Sequence, residues 1–487
     1  MPTSRTSWSP SSVALAPRQI LVIGAGMAGL VAARLLHDSG LKVTVIEARD
    51  RVGGRTWTTD FGGIPIDLGA SWIHDADDNP LPEWCSELGT PLAYTPSSHV
   101  RIYDHFAENE AVRWVDYQTA VRRAWRGIAA ASLAVGSAAA AQEISAWQDA
   151  TPALSLAQAL APVLAQADAL PHFDRRLLGY IISTAEGVEG APFERIALQN
   201  WFPREAGAVN AMPVGGYVSL IEDAARGLDI RLNTPVDAIR HGADGVSVMT
   251  QDGRLEGDAV IVTAPLSILQ QDVLRFEPAL PDAWRQAVAR IGYGRGATLN
   301  KIFLRFAEPF WPATEDRIIA LPPSLEERGL FITWMNLTEL TGEPVLLSFT
   351  SGANGAACDS GAPDDALVAT ALGALRSIFG PDVPEPVDYR ITRWLSDPWA
   401  RGSYSYSDVM TRAEDRLRYA DPIHDRLYFA GEAASPRYYG TVHAALLSGQ
   451  HAAFQLLRRL AGVEPVIDAL PWRAFLERHP AAITTVI

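Results

Sequence analysis

The sequence contains few cysteines and no apolar segment long enough to cross a bilayer. Cys85 and Cys358 are the only cysteines in 487 residues, and they are far apart, without the close spacing of metal-binding motifs. This argues against a disulfide framework and a metal site and favours a reducing compartment, which we take to be the cytoplasm. Residues 128–142 form an uncharged, alanine-rich run. That run is shorter than the roughly 20 apolar residues of a spanning helix, so we predict a soluble protein without a membrane partner.

Basic side chains are outnumbered by acidic ones. The chain has 41 basic and 56 acidic residues, which gives a net charge of −15. A surface of this sign argues against nucleic acid as a partner. With 48% hydrophobic and 20% charged residues the chain can bury a large core, and its length allows two or three domains. The sequence leaves open whether the protein is a monomer or a homodimer.

The first regular pattern is a strand, a glycine-rich turn, a helix and a second strand. Residues 19–24 are a β-branched run typical of a buried parallel strand. Apolar residues at helical spacing then continue to Gly40, a helix stop, and residues 42–48 form the second strand. Within about 30 residues this is a βαβ unit.

Elements that could complete this unit lie at the other end of the chain. Residues 112–205 carry a helical pattern, strands are predicted over 300–306 and around 330 and 346, and a helix over 364–379. A strand at 427–430 leads into a glycine-containing turn and a helix from Thr441 to about Leu460. We therefore predict an α/β protein (α+β overall) with a Rossmann-like domain interleaved with a second domain of mixed sheet plus helices.

The domain boundaries follow from this interleaving. The nucleotide-binding domain is predicted to comprise residues 19–98, 208–296 and 388–465, and the substrate domain residues 99–207 and 297–387. Residues 1–18 are predicted to be a flexible tail, and 466–487 a C-terminal tail.

The turn after the first strand has the spacing of a dinucleotide site. Gly24, Gly26 and Gly29 form G-x-G-x-x-G, in which the glycines permit a tight turn, close approach to a pyrophosphate and close helix packing. The helix N-terminus that follows offers free N–H groups to phosphate. Glu47 ends the second strand, where an acid meets a ribose hydroxyl. All three features together predict a bound dinucleotide.

Eight longer motifs follow in a fixed order along nearly the whole chain. They read VIGAGMAGL, VIEARDRVGGRT, DLGASWIH, PVGGYVSLI, DAVIVTAPLSIL, NKIFLRF, RWLSDPWARGSYSY and YFAGEAASPRYYGTVHAALLSGQ. In this order they resemble the flavin-containing amine oxidases, which include monoamine oxidases, polyamine and spermine oxidases and lysine-specific histone demethylases. The motifs are most similar to those of the polyamine and spermine oxidases, and residues 112–205 are the least diagnostic.

The resemblance implies FAD as the cofactor. Glu47 would hold the adenosine ribose, Arg49 and Arg55 would lie near the ribose and pyrophosphate, and Val236 would meet adenine. Ser403 departs from the monoamine oxidases, which have a flavin-anchoring cysteine at this position, so we predict that FAD is bound non-covalently. The remaining cofactor-binding candidates are Gly54, Ala70, Ser71, Trp72, Trp394, Gly431, Glu432, Thr441 and Val442.

Three residues are implied to act in catalysis. From its alternating strand alone, Lys301 reads as a solvated lysine, but it resembles the family lysine that holds a water against the flavin and supports reaction with oxygen. Tyr404 matches one wall of an aromatic cage for the amine, whereas Trp399 receives no role. The opposite wall of the cage, a tyrosine in monoamine oxidases, corresponds to Thr441 here. Spermine oxidases and demethylases also have a smaller residue at this position. Tyr439 is a candidate for partly replacing the missing ring.

Four residues are candidates for substrate contact: His74, Glu186, Glu189 and Tyr439. Polyamine oxidases carry a histidine two residues before an asparagine–proline pair, and that position here is Asp77. Glu186 and Glu189 occur where relatives place a carboxylate that faces the cavity.

We therefore expect an FAD-dependent amine oxidase that transfers a hydride from the α-carbon to the flavin. The resulting imine would be hydrolysed to an aldehyde, and oxygen would be reduced to hydrogen peroxide. A half-open cage favours polyamine-like or secondary amines, with a primary monoamine oxidase as the alternative. A demethylase-like chromatin protein or a non-catalytic flavoprotein is the alternative of another class.

Overall fold

The computed structural model describes residues 18–95, 100–104, 154–165, 167–170, 172–198, 209–462, 464–467 and 470–485. Helices and strands are intermixed along this part of the chain, in agreement with the predicted α/β class. No helix among these residues is both long and apolar enough to span a bilayer. The predicted N-terminal tail up to residue 17 and the predicted helical stretches at 112–153 and 199–205 lie outside the described residues.

A five-stranded parallel sheet assembles from distant parts of the chain. Its strands, in order across the sheet, are Leu427–Phe429, Ala259–Val262, Gln19–Ile23, Lys42–Ile46 and Asp229–Arg231. The first four are almost wholly buried, as expected for parallel strands covered on both faces. The sheet contains both the strand–helix–strand unit and the late return strand that the sequence predicts.

Two helices pack against each other beside this sheet. Met27–Asp38 follows the first glycine turn, and Val442–Leu456 lies directly against it. At their contact, a Cβ added to Gly449 would lie 2.2 Å from the carbonyl oxygen of Ala28. Glycine at this position therefore allows the two helices to approach closely.

A smaller, four-stranded sheet is formed by residues between 236 and 277. Its strands, in order, are Gly253–Gly257, Gly245–Thr250, Val236–Gly242 and Arg275–Glu277. The first two form an antiparallel hairpin whose turn lies at residues 251–252.

A six-stranded sheet forms the other half of the molecule. Its strands, in order, are Asp388–Ile391, Leu299–Arg305, Val345–Ser351, Leu330–Asn336, Arg317–Ala320 and Val100–Tyr103. The helix Asp364–Phe379 covers one face, and His172–Glu189 packs on the other. The strand Asp388–Ile391 was predicted to begin a nucleotide-side segment, but Ile391 pairs with Ile302 in this sheet. The strand with which it pairs decides which domain it belongs to, and sequence periodicity does not reveal that pairing.

The remaining elements are short. The other helices are Leu81–Leu88, Leu156–Leu164, Val218–Ala225, Leu266–Gln270, Asp282–Arg290, Thr338–Thr341, Gly352–Asp359, Ala413–Ala420 and Arg473–Arg478. The described residues also form three short strand pairs: Thr58–Asp60 with Pro65–Asp67, Leu92–Tyr94 with Ala211–Pro213, and Gly292–Tyr293 with Ser405–Tyr406.

The segment predicted to be a C-terminal tail is packed against the nucleotide side. Trp472 and Phe475 are buried, and the Trp472 indole donates a 2.6 Å hydrogen bond to Gln450. The Phe475 amide donates to Glu83 at 3.1 Å. The helix here has only six residues, which is too short for a helical period to stand out in the sequence.

The Gly449 contact generates a stability prediction. Gly449→Ala should destabilise the protein by about 1–3 kcal/mol, because the added methyl group overpacks a rigid helix–helix contact. Gly373→Ala is the matched control, since Gly373 is an exposed mid-helix glycine with no neighbour near the added Cβ. The control should gain roughly 0.5–1 kcal/mol. Thermal unfolding measures both, and equal unfolding temperatures would contradict the close contact.

Candidate active site

The first glycine turn brings backbone, rather than side chains, to the surface of a cavity. Gly24 has φ +100°, a conformation that favours glycine. A Cβ on Gly29 would lie 2.0 Å from the Gly24 carbonyl oxygen, so Gly29 serves close packing between helix and turn. The helix that begins at Met27 directs its free N–H groups to this turn.

The Glu47 carboxylate ties the turn to the second strand. It accepts hydrogen bonds from the amides of Ala25 at 2.7 Å and Arg49 at 2.9 Å. The Arg49 guanidinium is itself bound by Asp397, at 2.8 and 2.6 Å. Arg49 therefore lies beside the predicted ribose site with its charge already paired.

One cavity of about 1030 Å³ joins the nucleotide turn to the six-stranded sheet. Gly26, Glu47 and Val236 line one part of it, and Lys301 and Tyr404 line another. Its volume reaches the upper end of the roughly 300–1,000 Å³ of small-molecule sites.

The residues along the cavity fit FAD. At Gly54, which has φ +59°, an added Cβ would lie 3.3 Å from the Gly26 Cα. The bare backbone of these two glycines leaves room that a side chain would fill, as close approach to a pyrophosphate requires.

Almost every residue predicted from the sequence borders this cavity. The exceptions are Gly29, which packs behind the turn, and Glu186. Those that line it are Gly24, Gly26, Glu47, Arg49, Gly54, Arg55, Ala70, Ser71, Trp72, His74, Glu189, Val236, Lys301, Trp394, Tyr404, Gly431, Glu432, Tyr439, Thr441 and Val442.

Glu432 is a buried residue of the cavity wall and accepts four hydrogen bonds. Its donors are the Arg55 guanidinium at 2.9 Å, the Ser405 amide at 3.1 Å and hydroxyl at 2.7 Å, and the Gly440 amide at 2.7 Å. Burial alone would raise the pKa of Glu432, but Arg55 and the other donors outweigh it, and the pKa is lowered. The carboxylate is therefore held ionised.

Lys301 is buried, contrary to the solvated lysine that strand alternation alone indicates. Its ammonium donates to the carbonyl oxygens of Asp67 at 2.8 Å and Gly69 at 2.5 Å, and to the Ser71 hydroxyl at 2.5 Å. Burial lowers its pKa to about 8, although the Asp67 carboxylate opposes the change. Lys42 is the only other lysine in the chain, a scarcity that could have drawn attention to Lys301.

Tyr404 is fixed in place by backbone contacts. Its hydroxyl donates to the Gly187 carbonyl oxygen at 2.7 Å. A Cβ on Gly190 would come within 3.0 Å of the ring, and one on Gly440 within 3.3 Å. Both glycines therefore leave the space that the ring occupies at the cavity.

Thr441 caps the helix Val442–Leu456, so the helix starts where the sequence predicts. The Thr441 hydroxyl accepts from the Ala444 amide at 3.2 Å and donates to the Tyr438 carbonyl oxygen at 2.6 Å. Tyr439 lies nearby, with the Arg416 guanidinium 4.0 Å from its ring centre and its own hydroxyl 3.4 Å from Glu189.

The two carboxylates of the helix His172–Glu189 have different environments. Glu186, predicted as a cavity residue, instead accepts from the Arg328 guanidinium at 3.1 Å and the Phe193 amide at 3.2 Å, away from the cavity. Burial raises the pKa of Glu186, with Arg328 opposing the change. Because the two positions differ by three residues on a helix, a loose alignment could not separate them. Glu189 is the one that lines the cavity.

The predicted candidate His74 lines the cavity with its Nδ1 at 3.1 Å from Asn210. Asp75 also lines the cavity, whereas Asp77 does not. Trp399 and Arg317 border the cavity as well, although sequence reasoning gave neither of them a role. No local pattern marks them, because distant segments bring them there.

Comparison with known proteins gives consistent results. The family model described as flavin containing amine oxidoreductase matches residues 27–457. Polyamine oxidase 4 of Oryza sativa subsp. japonica is 34% identical, over 95% of this chain and 93% of its own, and Polyamine oxidase 2 of Arabidopsis thaliana is 34% identical, over 89% and 87%. The chain also matches Lysine-specific histone demethylase 1 homolog 2 of Oryza sativa subsp. japonica, at 32% identity over 90% of this chain and 57% of that protein.

Solved structures share the fold. Cyclohexylamine oxidase from Brevibacterium oxydans superimposes with a TM-score of 0.72 at 23% identity, over 91% of this chain and all of that chain. Putrescine oxidase bound to putrescine gives a TM-score of 0.72 at 22% identity, with the same coverage. At these identities the likeness concerns the fold alone.

Proposed function

This chain belongs to the flavin-containing amine oxidoreductase family, and we propose how its residues act on the amine and which amines it prefers. The protein is an FAD-dependent amine oxidoreductase with polyamine-like substrates favoured. The observation that carries the residue assignments is the shared cavity, which brings the dinucleotide turn together with Lys301 and Tyr404.

The chain's own residues would hold FAD along the cavity. Glu47 would receive the adenosine ribose and Val236 the adenine, while the backbone at Gly26 and Gly54 would lie against the pyrophosphate. Glu432 and Val442 would lie by the ribityl chain and the pyrimidine edge of the flavin. When bound, FAD supplies the hydride acceptor for the amine's α-carbon.

Lys301 supplies a positive charge for the step in which oxygen is reduced. Its ammonium is held by three oxygen acceptors and is buried. A buried cation has a strong electrostatic effect because water does not screen it. We assign Lys301 the task of stabilising, through the field of its ammonium, the negative charge that develops as oxygen is reduced.

The aromatic faces of Tyr404 and Tyr439 would orient the amine. An aromatic face attracts the amine nitrogen without offering it a competing hydrogen-bond acceptor. Thr441 occupies the place opposite Tyr404 and leaves room for a substituent on the nitrogen. Glu189 carries a negative charge that attracts the cationic form of the amine before it loses its proton. This arrangement supports secondary and extended amines.

We propose the following overall reaction. A secondary amine, oxygen and one water give an aldehyde, the released amine and hydrogen peroxide. The α-carbon loses two electrons and oxygen gains two, so the reaction is balanced without a further reductant.

FAD would be bound non-covalently. Ser403 lines the cavity, and its hydroxyl accepts a 3.0 Å hydrogen bond from the Leu299 amide. A serine at this position cannot form a thioether.

We also propose a cytoplasmic protein without a nucleic-acid partner, supported by the free thiols of Cys85 and Cys358 and by the net charge of −15. Cell fractionation would check the compartment.

Hydrogen peroxide release over an amine panel tests the substrate proposal. The panel contains spermine, spermidine, N-acetylated polyamines, benzylamine, tyramine, cyclic amines and amino acids, and the protein is first acid-precipitated in one sample to verify that FAD leaves the chain. We expect secondary and polyamine-type substrates to give the highest kcat/KM. Higher activity on tyramine or benzylamine would contradict the interpretation of Thr441. Silence on every amine by FAD-loaded protein would contradict the oxidase function.

Lys301→Met should slow the oxygen half-reaction about 100-fold, because one preorganised charge is lost. In the unmodified protein this rate should fall as the pH rises through about 8, where the Lys301 ammonium loses its proton. The variant should show no such dependence. Lys42→Met is the matched control, since Lys42 is the other lysine and is exposed. Stopped-flow mixing with oxygen measures both, and unchanged rates in Lys301→Met would remove its assigned role.

Glu189→Gln and Glu186→Gln separate the two carboxylates of one helix. Glu189→Gln should raise KM for amines roughly tenfold, because a charge facing the substrate is lost. Glu186→Gln should leave KM unchanged and lower the unfolding temperature, because Arg328 then lacks its charged partner. Steady-state kinetics and calorimetry give the two readouts. The reverse pattern would show that the residues are assigned the wrong way round.

A further inference from the structure

Arg317 is a cation of the cavity without an acceptor among the described residues. It begins the strand Arg317–Ala320 and lines the cavity. Its Nε is buried and has no hydrogen-bond partner, and no ion pair joins its guanidinium to a described residue. A buried donor without an acceptor is costly. The position therefore suits a ligand group that supplies the acceptor.

The other positive charges along the described cavity wall have partners. Arg49 is paired with Asp397, Arg55 with Glu432, and Lys301 with three oxygens. The exposed Arg437 lies 3.6 Å from Asp78. Against this background Arg317 differs from every other cation that borders the cavity.

Neither of the two acids that directly precede Arg317 neutralises it: no ion pair among the described residues joins it to Asp316, and Glu315 is engaged elsewhere. Glu315 is bound by the Arg101 guanidinium at 2.7 Å and by the Tyr103 hydroxyl at 2.8 Å. Ile318, the next residue along the strand, packs into the core on the other face of the sheet. Strand alternation thus turns Arg317 toward the cavity.

Arg317 and Lys301 lie on the same sheet, separated by the strands Val345–Ser351 and Leu330–Asn336. In the register, Lys301 is opposite Phe349, and Arg317 is opposite Met335. All four of these residues line the cavity. Three strand spacings and an offset of two residues along the strands put their Cα atoms roughly 16 Å apart, with the apolar side chains of Phe349 and Met335 between them.

We propose that Arg317 is a specificity-determining residue that binds an oxygen acceptor at the far end of the amine substrate. This inference rests on the proposed function, and it narrows the substrate class. The preferred amines carry an acyl or a carboxylate oxygen at the end remote from the oxidised carbon–nitrogen bond. A second ammonium at that end is disfavoured, because it would meet an unneutralised guanidinium.

An acyl oxygen and a carboxylate oxygen can be compared as the group that Arg317 binds, in substrates that share one amine scaffold. Four compounds share the N-(4-aminobutyl) group and differ in their other arm: N1-acetylspermidine ends in an acetamide, N-(4-aminobutyl)-β-alanine in a carboxylate, spermidine in an ammonium and N-propylputrescine in a methyl group. In the unmodified protein, kcat/KM should be highest for the acetamide or the carboxylate arm. Whichever of the two is higher identifies the source.

Arg317→Met should lower kcat/KM about 10- to 100-fold for the acetamide and carboxylate arms, because a charge-assisted hydrogen bond is lost. The methyl arm should change less than about twofold, and the ammonium arm should rise. Arg317→Lys should restore part of the carboxylate preference, since it returns the charge without the planar fork. Arg275→Met, an exposed strand position, is the charge-matched control. Spermidine preferred by the unmodified protein, or an equal loss on all four arms, would overturn the proposal.

A binding measurement separates failure of this proposal from failure of the oxidase function. Pentanoate has no amine to oxidise, and isothermal titration of the FAD-loaded protein should show that it binds at least tenfold more weakly to Arg317→Met than to the control. If all amines fail to react but this difference is present, the oxidase function is wrong and the Arg317 site stands. If amines react and pentanoate binds both proteins equally, the Arg317 site is wrong.

Discussion

The buried Glu432 carboxylate joins the chain segments that surround the cavity. It accepts from Arg55 in the loop after the second strand, from Ser405 ahead of the return strand and from Gly440 at the turn before the last long helix. An ionised group at this depth is tolerated only when its acceptors are fully used. The same four hydrogen bonds therefore fix the wall that carries Tyr404 and the start of the helix capped by Thr441.

Charge placement, more than shape, distinguishes the parts of the cavity. Burial lowers the pKa of Lys301 to about 8, and three oxygen acceptors hold its ammonium in place. Arg317, three strands away, has no acceptor of its own among the described residues. Glu189 contributes the opposite sign near Tyr439. We propose that a substrate is recognised along its length by these separate charges, which are set on rigid strands and helices.

Sequence reasoning succeeded where local chemistry is sufficient. The glycine turn followed by Glu47 could be recognised because each residue does its work within one βαβ unit. The helix start at Thr441 follows from a capping hydroxyl beside a glycine turn. It failed for Glu186, because residues three apart on a helix lie on nearly the same face and only the position of Arg328 decides which one is withdrawn from the cavity. It also mistook the last helix for a tail, since six residues give no periodic signal.

The sequence by itself determined the family, the α/β class, the dinucleotide turn and a set of site residues, nearly all of which border the cavity. These depend on backbone geometry and on motifs whose spacing is local. The tertiary structure decided that Lys301 is buried, that Arg49 is neutralised by Asp397, and that Arg317 faces the cavity without a partner among the described residues. Each of these outcomes depends on desolvation and on groups hundreds of residues away or on neighbouring strands. A pattern read along the chain contains no information on such contacts.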